Sequence, residues 1–554
     1  MTPIHPDAER PPSSPMGIAA RIVPRTIRRN GTPGPRSASH QRKLRRPEGD
    51  RRSGSSAERS RVIVSGVVWN FLGQGVLLVI AFMATPYIVR RLEADLYGLY
   101  SLAGFVLSYF AFLEFGLGTA VTKDISQYLA EDNETGIVSS FWGGLAWLVT
   151  GSLACVLVVS ALAGCIASTV LHIPARLQPT AVAAFRLSSL LFSVTMWTGL
   201  TAGTLRSLGR FAALNLAFIV AGTAQTAGTV GLLWMGYSLA EILWGMLLCQ
   251  GSLFAWQFGL CLHVLPPLKK PRLSLRSMTR LLKFGGILTV ASVIGPVLTN
   301  IEKLFMTRLT SVGLLTYYAV PFSLIDRLGL IPSAFGSVLF PSYSYFSTKE
   351  PKNNRELHYR GTLYICASYG FFASFFLFLG KPFLQTWMGT EFAEKSAIVL
   401  GVLAVGGLFN AMARPAVTAL QGLGKPQIPL LLQCIELVLY VPSAYFLIMA
   451  FGLAGTAWAW CLRVVADAFL LHIASCLALG ERPSSYRELL RVVCLPLAAC
   501  SAAFLAIRIG GYHLITPVVI AEILGITLAY AVAVWRLVLD GNTRETMTAL
   551  WRSA

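Results

Sequence analysis

Charged residues are scarce in this chain of 554 residues, of which Asp, Glu, Lys and Arg make up only 13%. A soluble globular protein carries about 25% charged residues. Hydrophobic residues make up 55% of the chain, and the mean hydropathy is +0.62. These values exclude a soluble enzyme, a disordered protein and a fibre, and they favour a protein built from membrane-spanning helices.

The sequence also lacks the motifs of common catalytic and metal-binding sites. Its ten cysteines form no CxxC pair and no cluster with histidine, so we expect small core residues rather than disulfides or metal ligands. The Gly-Lys pairs at 380–381 and 424–425 are each followed by proline, which excludes a phosphate-binding ATPase loop. No predicted outer loop exceeds about 20 residues, which is short for a membrane-bound glycan polymerase or ligase. The chain is therefore predicted not to be an enzyme and to bind no cofactor.

Positive charge is present, and much of it lies near the N-terminus. The net charge is +20, of which residues 1–60 contribute +8 from 13 basic and 5 acidic residues. This segment has nine prolines and no long apolar run, so it is predicted to be a disordered basic tail at the cytoplasmic leaflet. A tail without function, or a gene start placed too early, fits the same composition. The tail has no aromatic residues for base stacking, so nucleic acid is not an expected partner.

From residue 61 onward, apolar stretches recur with short polar breaks, and each is about the length of one membrane span. Fourteen such stretches are recognised, in an all-α integral membrane protein. They are 62–89, 97–121, 139–166, 180–204, 211–236, 239–264, 283–308, 313–343, 358–380, 396–420, 427–451, 454–479, 488–509 and 514–536.

The basic residues of the loops predict the orientation of these spans. Lysine and arginine collect in cytoplasmic loops, and they are abundant after the sixth, eighth and twelfth predicted spans and at the C-terminus. The loops after the fifth and eleventh spans carry none. Both termini are therefore predicted to be cytoplasmic, although the loop after the second span is acidic.

Two pairs of similar segments suggest an internal repeat. Arg91-Leu92 with Tyr100 matches Arg308-Leu309 with Tyr317 at an offset of 217 residues. The pattern Leu-x-x-Leu-Gly followed by a basic residue at 205–210 matches 420–425 at an offset of 215. Both offsets equal six spans, which predicts two parallel six-helix lobes plus two further helices. The predicted divisions are 1–60 (tail), 61–265 (first lobe), 266–282 (basic linker), 283–480 (second lobe), 481–540 (two extra helices) and 541–554 (C-terminal tail).

Four further segments are informative: WNFLGQGVLLVIAFMATPYIVRRLEADLYGLYSL (69–102), FLEFGLGTAVTKDIS (112–126), LLTYYAVPFSLIDRLGLIPSAFGSVLFPSYS (314–344) and WMGTEF (387–392). They resemble the polysaccharide transport family of oligosaccharide flippases, which belongs to a superfamily that also contains multidrug extruders and lipid II flippases. The resemblance covers the chain from Arg61 to about Arg536. It implies a V-shaped exporter bundle that moves a polyprenyl-diphosphate-linked oligosaccharide across the bacterial inner membrane by alternating access, for cell-surface polysaccharide or exopolysaccharide synthesis. Membrane lipids and other polysaccharide assembly proteins are then expected partners.

Such a cargo needs cationic groups inside the membrane, and each ionisable residue within a span is a functional candidate. Arg414 has no acidic residue one helical turn away, whereas Arg463 has Asp467 at i+4 and could be neutralised by it. Asp326 and Arg327 are adjacent and point to different helix faces, so one or both should reach another helix or a cavity.

Polar and acidic side chains within the spans complete the candidate site. Asn70 and Gln74 could bind sugar hydroxyls or clamp a neighbouring helix. Glu302-Lys303 lies in the outer part of the seventh span, where Lys303 is expected to reach the membrane surface. Coupling to Na⁺ or H⁺ would need buried carboxyl groups. The candidates for that role are Glu114, Glu436, Asp467 and Glu522.

An ion-coupled multidrug antiporter of the same superfamily is the alternative function. That class prefers cationic drugs and an acidic cavity, whereas the candidate residues here include at least as many bases as acids.

Overall fold

The computed structural model describes residues 56–108, 117–272, 294–349, 351–480, 486–510, 517–538 and 544. Contacts divide the chain into two compact units, Met1–Gly73 and Gln74–Ala554. The first is described only from Ser56, where α1 begins, inside the segment predicted as tail. The second contains every other described helix, and the paragraphs below concern it.

Every regular element in the described ranges is helical. The helices are α1 (Ser56–Ser108), α2 (Leu117–Ala130), α3 (Glu134–Cys165), α4 (Gln178–Ser207), α5 (Phe211–Trp234), α6 (Leu239–Val264), α7 (294–309), α8 (Val312–Arg327), α9 (Leu330–Lys349), α10 (Pro351–Trp387), α11 (Thr390–Gly422), α12 (Gln427–Leu479), α13 (Tyr486–Ile509) and α14 (Pro517–Ala533). Short 3₁₀ or π turns flank some of them.

Ten helices within the described ranges are long and apolar enough to cross a membrane, so the prediction of an all-α membrane protein is confirmed. One of the ten is α12, which holds two predicted spans, 427–451 and 454–479, on either side of a break at Gly452. α1 is likewise broken, at Glu93. The count of fourteen spans stays a prediction.

Backbone turns recur along the chain at the same offset as the repeated sequence segments. Three pairs of residues with positive φ recur 215 to 217 positions apart, at the ends of corresponding helices. They are His172 (φ 51°) with Gly389 (φ 106°), Gly209 (φ 71°) with Gly424 (φ 73°), and Gly236 (φ 86°) with Gly452 (φ 55°). The repeated turns support two parallel six-helix lobes, because each pair lies six predicted spans apart. The extra helices α13 and α14 pack on α10 through Leu379, Phe504 and Val519.

One predicted span is two helices. The stretch 313–343 is interrupted by a turn at Leu328–Gly329, which separates α8 from α9. The amide of Gly329 donates to the carbonyl of Asp326 at 2.9 Å and closes the turn. A Cβ atom at Gly329 would lie 2.8 Å from that same carbonyl oxygen, so the turn favours glycine. Hydropathy alone gave no sign of this break because both flanking segments are apolar.

The lobes meet where α1 of the first lobe runs beside α8 and α10 of the second. Thr316 Oγ1 donates to the carbonyl of Ala94 at 2.6 Å, and Trp387 Nε1 donates to the carbonyl of Phe82 at 3.2 Å. A Cβ atom at Gly98 would lie 2.0 Å from the carbonyl oxygen of Val312. The two helices therefore approach closely enough that only glycine fits at position 98.

This close approach predicts the effect of one methyl group. Gly98→Ala should push α1 away from α8 and lower the stability of the folded protein by about 1–3 kcal/mol, the usual cost of overpacking. Gly104→Ala is the matched control in the same helix, since no atom lies within 4 Å of the added carbon. Thermal unfolding of the purified protein in detergent measures both. Equal melting temperatures for the two variants would contradict the close packing.

Candidate functional site

The break between α8 and α9 opens a polar site between helices. Non-helical backbone at membrane depth leaves peptide groups unsatisfied unless it is buried in protein or lines a water-filled cavity. Here Asp326 and Arg327 lie in the last turn of α8, and the residues just after the break line a cavity. The positive end of the α9 helix dipole lies at the same break.

We call this space the central cavity, and its volume is about 490 Å³. Leu77, Leu78 and Ala81 of α1 form its wall on the side of the first lobe. The second lobe supplies the polar wall and three aromatic side chains. These residues are Asp326, Arg327, Ser333, Asn410 and Arg414, with Phe322, Tyr369 and Trp460. The volume falls in the range of sites for small ligands, about 300–1,000 Å³.

The charged side chains of the central cavity are not paired with one another. Neither Arg327 nor Arg414 forms a salt bridge with any described residue, and no salt bridge within the described ranges involves Asp326. Arg414 and Asp326 are both exposed to the cavity, and Arg327 is half-buried. The lining carries two arginines and one aspartate and is therefore net positive. Such an arrangement can bind an anion, because the cations are not neutralised by the protein.

Two adjacent glycines of α11 position the walls of the cavity. A Cβ atom at Gly406 would lie 2.7 Å from the Trp460 ring, and one at Gly407 would lie 2.4 Å from the Tyr369 hydroxyl. The Tyr369 hydroxyl donates to the carbonyl of Ile325 at 3.2 Å. The glycines thus let α10 and α12 pack tightly on α11, and Tyr369 fixes the end of α8 that carries Asp326 and Arg327.

The structure corrects the prediction for Lys303. This side chain is fully buried instead of reaching the membrane surface, and its Nζ lies 3.2 Å from Glu302 Oε1. Nζ also donates to Asn300 Oδ1 at 2.8 Å and to the carbonyl of Thr299, and it lies 3.9 Å from the centre of the Phe322 ring. The pair and its hydrogen bonds offset the cost of burying the ammonium group.

Glu302 connects this pair to a second one. Its carboxylate accepts hydrogen bonds from Tyr318 at 3.3 Å and from Tyr440 at 3.0 Å. The Tyr440 ring lies 5.4 Å from the guanidinium carbon of Arg463, and Arg463 Nη1 lies 3.5 Å from Glu436 Oε2. Tyr440 therefore joins two buried ion pairs from α7 and α12 into one network.

The remaining sequence candidates have different surroundings. Arg463 does not line the central cavity, although Trp460, one helical turn earlier in α12, does. Asp467 lies within electrostatic range of Glu436. Glu522 is exposed on α14 and is not a buried carboxyl group. Glu114 and the side chains of Asn70 and Gln74 lie outside the described residues, so their roles stay predictions.

Sequence reasoning missed several residues that line the central cavity, among them Ser333, Asn410, Tyr369 and Trp460. Asn410 could have been found, because it precedes Arg414 by four residues and so lies on the same helix face. The two aromatic residues gave no such signal, since aromatic side chains occur throughout apolar spans.

Comparison with known proteins now gives the class and the family. The fold is similar to an inward-facing multidrug resistance MATE family transporter of the MOP superfamily (TM-score 0.61, 15% identity, 74% of this chain and 98% of that one). It is also similar to the lipid II flippase MurJ in an inward closed conformation (TM-score 0.62, 12% identity, 85% of this chain and 98% of that one). The chain is thus a multi-pass membrane protein with a transporter fold of the exporter type.

The family is defined by sequence. A family model described as polysaccharide biosynthesis protein matches residues 63–347, just over half of the chain. The chain belongs to this family. A putative O-antigen transporter of Shigella flexneri is 25% identical over 417 residues, which are 74% of this chain and 97% of that protein.

The buried pair Glu302–Lys303 predicts a large and asymmetric effect of mutation. Lys303→Met leaves a buried carboxylate without its cation and should cost about 3–5 kcal/mol of stability. Adding Glu302→Gln should restore part of the loss, because the double variant holds no unpaired charge. Thermal unfolding in detergent compares the variants.

The matched control is Lys395→Met, which breaks an exposed Lys–Glu pair of 2.8 Å with Glu391 and should cost about 0–1 kcal/mol. If Lys303→Met were as stable as Lys395→Met, the network would not stabilise the second lobe.

Proposed function

We propose that the protein is a flippase that translocates a polyprenyl-diphosphate-linked oligosaccharide across the bacterial inner membrane by alternating access, and that it is not an enzyme. The observation that carries the proposal is the central cavity between the lobes, in which Arg327 and Arg414 form no salt bridge with any residue that the structure describes. Membership of the polysaccharide biosynthesis protein family supports it, as do the names of the Shigella flexneri relative and of the lipid II flippase.

The physical problem of such a cargo is its head group. The prenyl tail can remain in lipid, but a diphosphate and a glycan cannot cross hydrocarbon without replacement of their water. Arginine remains charged at all physiological pH values and can bind two phosphate oxygens at once. In the proposed complex, Arg327 and Arg414 bind the diphosphate, and Asn410, Ser333 and Tyr369 supply neutral hydrogen-bonding groups for the glycan.

The alternative of a multidrug antiporter has the same fold in its favour, since MATE structures are similar. The described wall of the central cavity argues against it. The net positive charge of two arginines and one aspartate repels an organic cation, whereas binding such a cation would need a net negative cavity.

Alternating access requires the contacts between the lobes to open and close. The contacts of Gly98 with Val312 and of Thr316 with Ala94 lie just after the break at Glu93 in α1. With the proposed cytoplasmic N-terminus, this break lies toward the outer side of the membrane. The structure then corresponds to a state closed to the outside. Glu436 and Asp467 are the described carboxyl candidates for coupling this motion to Na⁺ or H⁺.

A mutation of the unpaired arginine tests the proposal in cells. Arg414→Ala should lower the amount of cell-surface polysaccharide by about tenfold or more, because it removes charge-assisted hydrogen bonds to phosphate. Surface polysaccharide is measured in a deletion strain that expresses the variant, with membrane protein quantified by immunoblot.

Arg186→Ala is the matched control, since Arg186 is an exposed arginine of α4 that does not line the central cavity. It should leave the polysaccharide at the wild-type amount. Normal polysaccharide in the Arg414→Ala strain, together with drug sensitivity of the deletion strain, would instead support the antiporter.

A further inference from the structure

A second, smaller cavity adjoins the central cavity and extends into the first lobe. We call it the side cavity, and its volume is about 160 Å³. It lies between α1, α5 and α6, and it shares Ala81 and Arg327 with the central cavity. Arg327 is the only described residue of the second lobe in its lining. This volume equals that of about five water molecules in the liquid. One sugar ring has about this size, whereas a chain of sugars is larger.

The wall of the side cavity is polar without being charged, apart from Arg327. Thr226 and Thr229 each donate their hydroxyl hydrogen to a carbonyl of their own helix, at 3.0 and 2.9 Å, so their oxygens remain free to accept a further hydrogen bond. The Gln225 amide has no hydrogen-bonding partner among the residues that the structure describes. Within the described ranges, the Tyr100 hydroxyl hydrogen-bonds only to a weak acceptor, the sulfur of Met246 at 3.9 Å.

This mixture of groups indicates the class of ligand. A phosphate group carries acceptors alone, so it would bind at Arg327 and not along the threonine oxygens, whereas a sugar hydroxyl both donates and accepts. The rings of Tyr97 and Tyr100, with centres 5.9 Å apart, add apolar surface for the C–H face of a sugar. An organic cation is disfavoured because Arg327 lies in the same wall.

Resting on the proposed function, we propose that the side cavity binds the sugar that is bonded directly to the diphosphate, and that Gln225, Thr229 and Tyr100 select this sugar. Arg327 lies at the junction of the two cavities, so a diphosphate held by Arg327 and Arg414 would place its first sugar at the mouth of the side cavity. The remaining sugars stay in the larger central cavity. In this proposal the first lobe binds the sugar, and the arginines of the second lobe bind the diphosphate.

The test compares binding of two probes to the purified full-length protein in lipid nanodiscs. The probes are farnesyl diphosphate and a set of farnesyl-diphosphate-linked monosaccharides (glucose, galactose and N-acetylglucosamine), and affinity is measured by isothermal titration. The wild-type protein should bind at least one monosaccharide probe more tightly than farnesyl diphosphate. Gln225→Leu, Thr229→Val and Tyr100→Phe should each weaken that probe about three- to tenfold and leave farnesyl diphosphate unchanged.

Thr150→Val is the matched control for Thr229→Val, because Thr150 makes the same hydrogen bond within its helix, at 2.8 Å, and lines neither cavity. It should change neither affinity. The three variants are independent, so a folding failure of one leaves the others to decide. The proposal is overturned if the wild-type protein shows no preference for any monosaccharide probe, or if the variants weaken both kinds of probe equally. Failure of the proposed function looks different, since the wild-type protein would then bind neither kind of probe and Arg414→Ala would change nothing.

Discussion

The high cost of an unpaired charge at membrane depth is the constraint on which the rest of this structure depends. The protein meets it in two ways. In the network of Glu302, Lys303, Glu436 and Arg463, every charge has an opposite charge nearby, and Tyr440 links the two pairs. In the central cavity, Arg327 and Arg414 form no salt bridge within the described part of the chain, and both line open space. Paired charges are structural, and unpaired charges facing a cavity are free to bind a ligand.

The broken helix connects this constraint to function. The turn at Leu328–Gly329 ends α8 beside the central cavity, and Tyr369 fixes that end through its hydrogen bond to the carbonyl of Ile325. Tight packing at Gly406 and Gly407 brings α10 and α12 against α11 next to the break. The contacts of Gly98 with Val312 join α8 to α1, and the proposed alternating access would have to separate these contacts.

The sequence predicts the membrane class and the all-helical fold well, because hydropathy is a local property. The division into two lobes and the role of Arg414 stay predictions, although the structure places Arg414 in the wall of the central cavity. Lys303 was misjudged because its burial depends on Phe322 and Asn300, whose proximity arises from packing. The partner of Arg463 is Glu436 from the other half of α12, and a search at i+4 could see only Asp467. The side cavity gave no sequence signal, because Gln225, Thr226 and Thr229 lie on α5 whereas Tyr97 and Tyr100 lie on α1, far away in the sequence.

Translocation by the purified protein tests the central claim most directly. The full-length chain is reconstituted in liposomes that contain a fluorescent polyprenyl-diphosphate-linked oligosaccharide, and a membrane-impermeant quencher reports its movement between leaflets. We expect the wild-type protein to accelerate this movement over protein-free liposomes and the Arg414→Ala variant to lose the acceleration. The account would be contradicted if the oligosaccharide moved no faster than in protein-free liposomes while the same protein transported an organic cation.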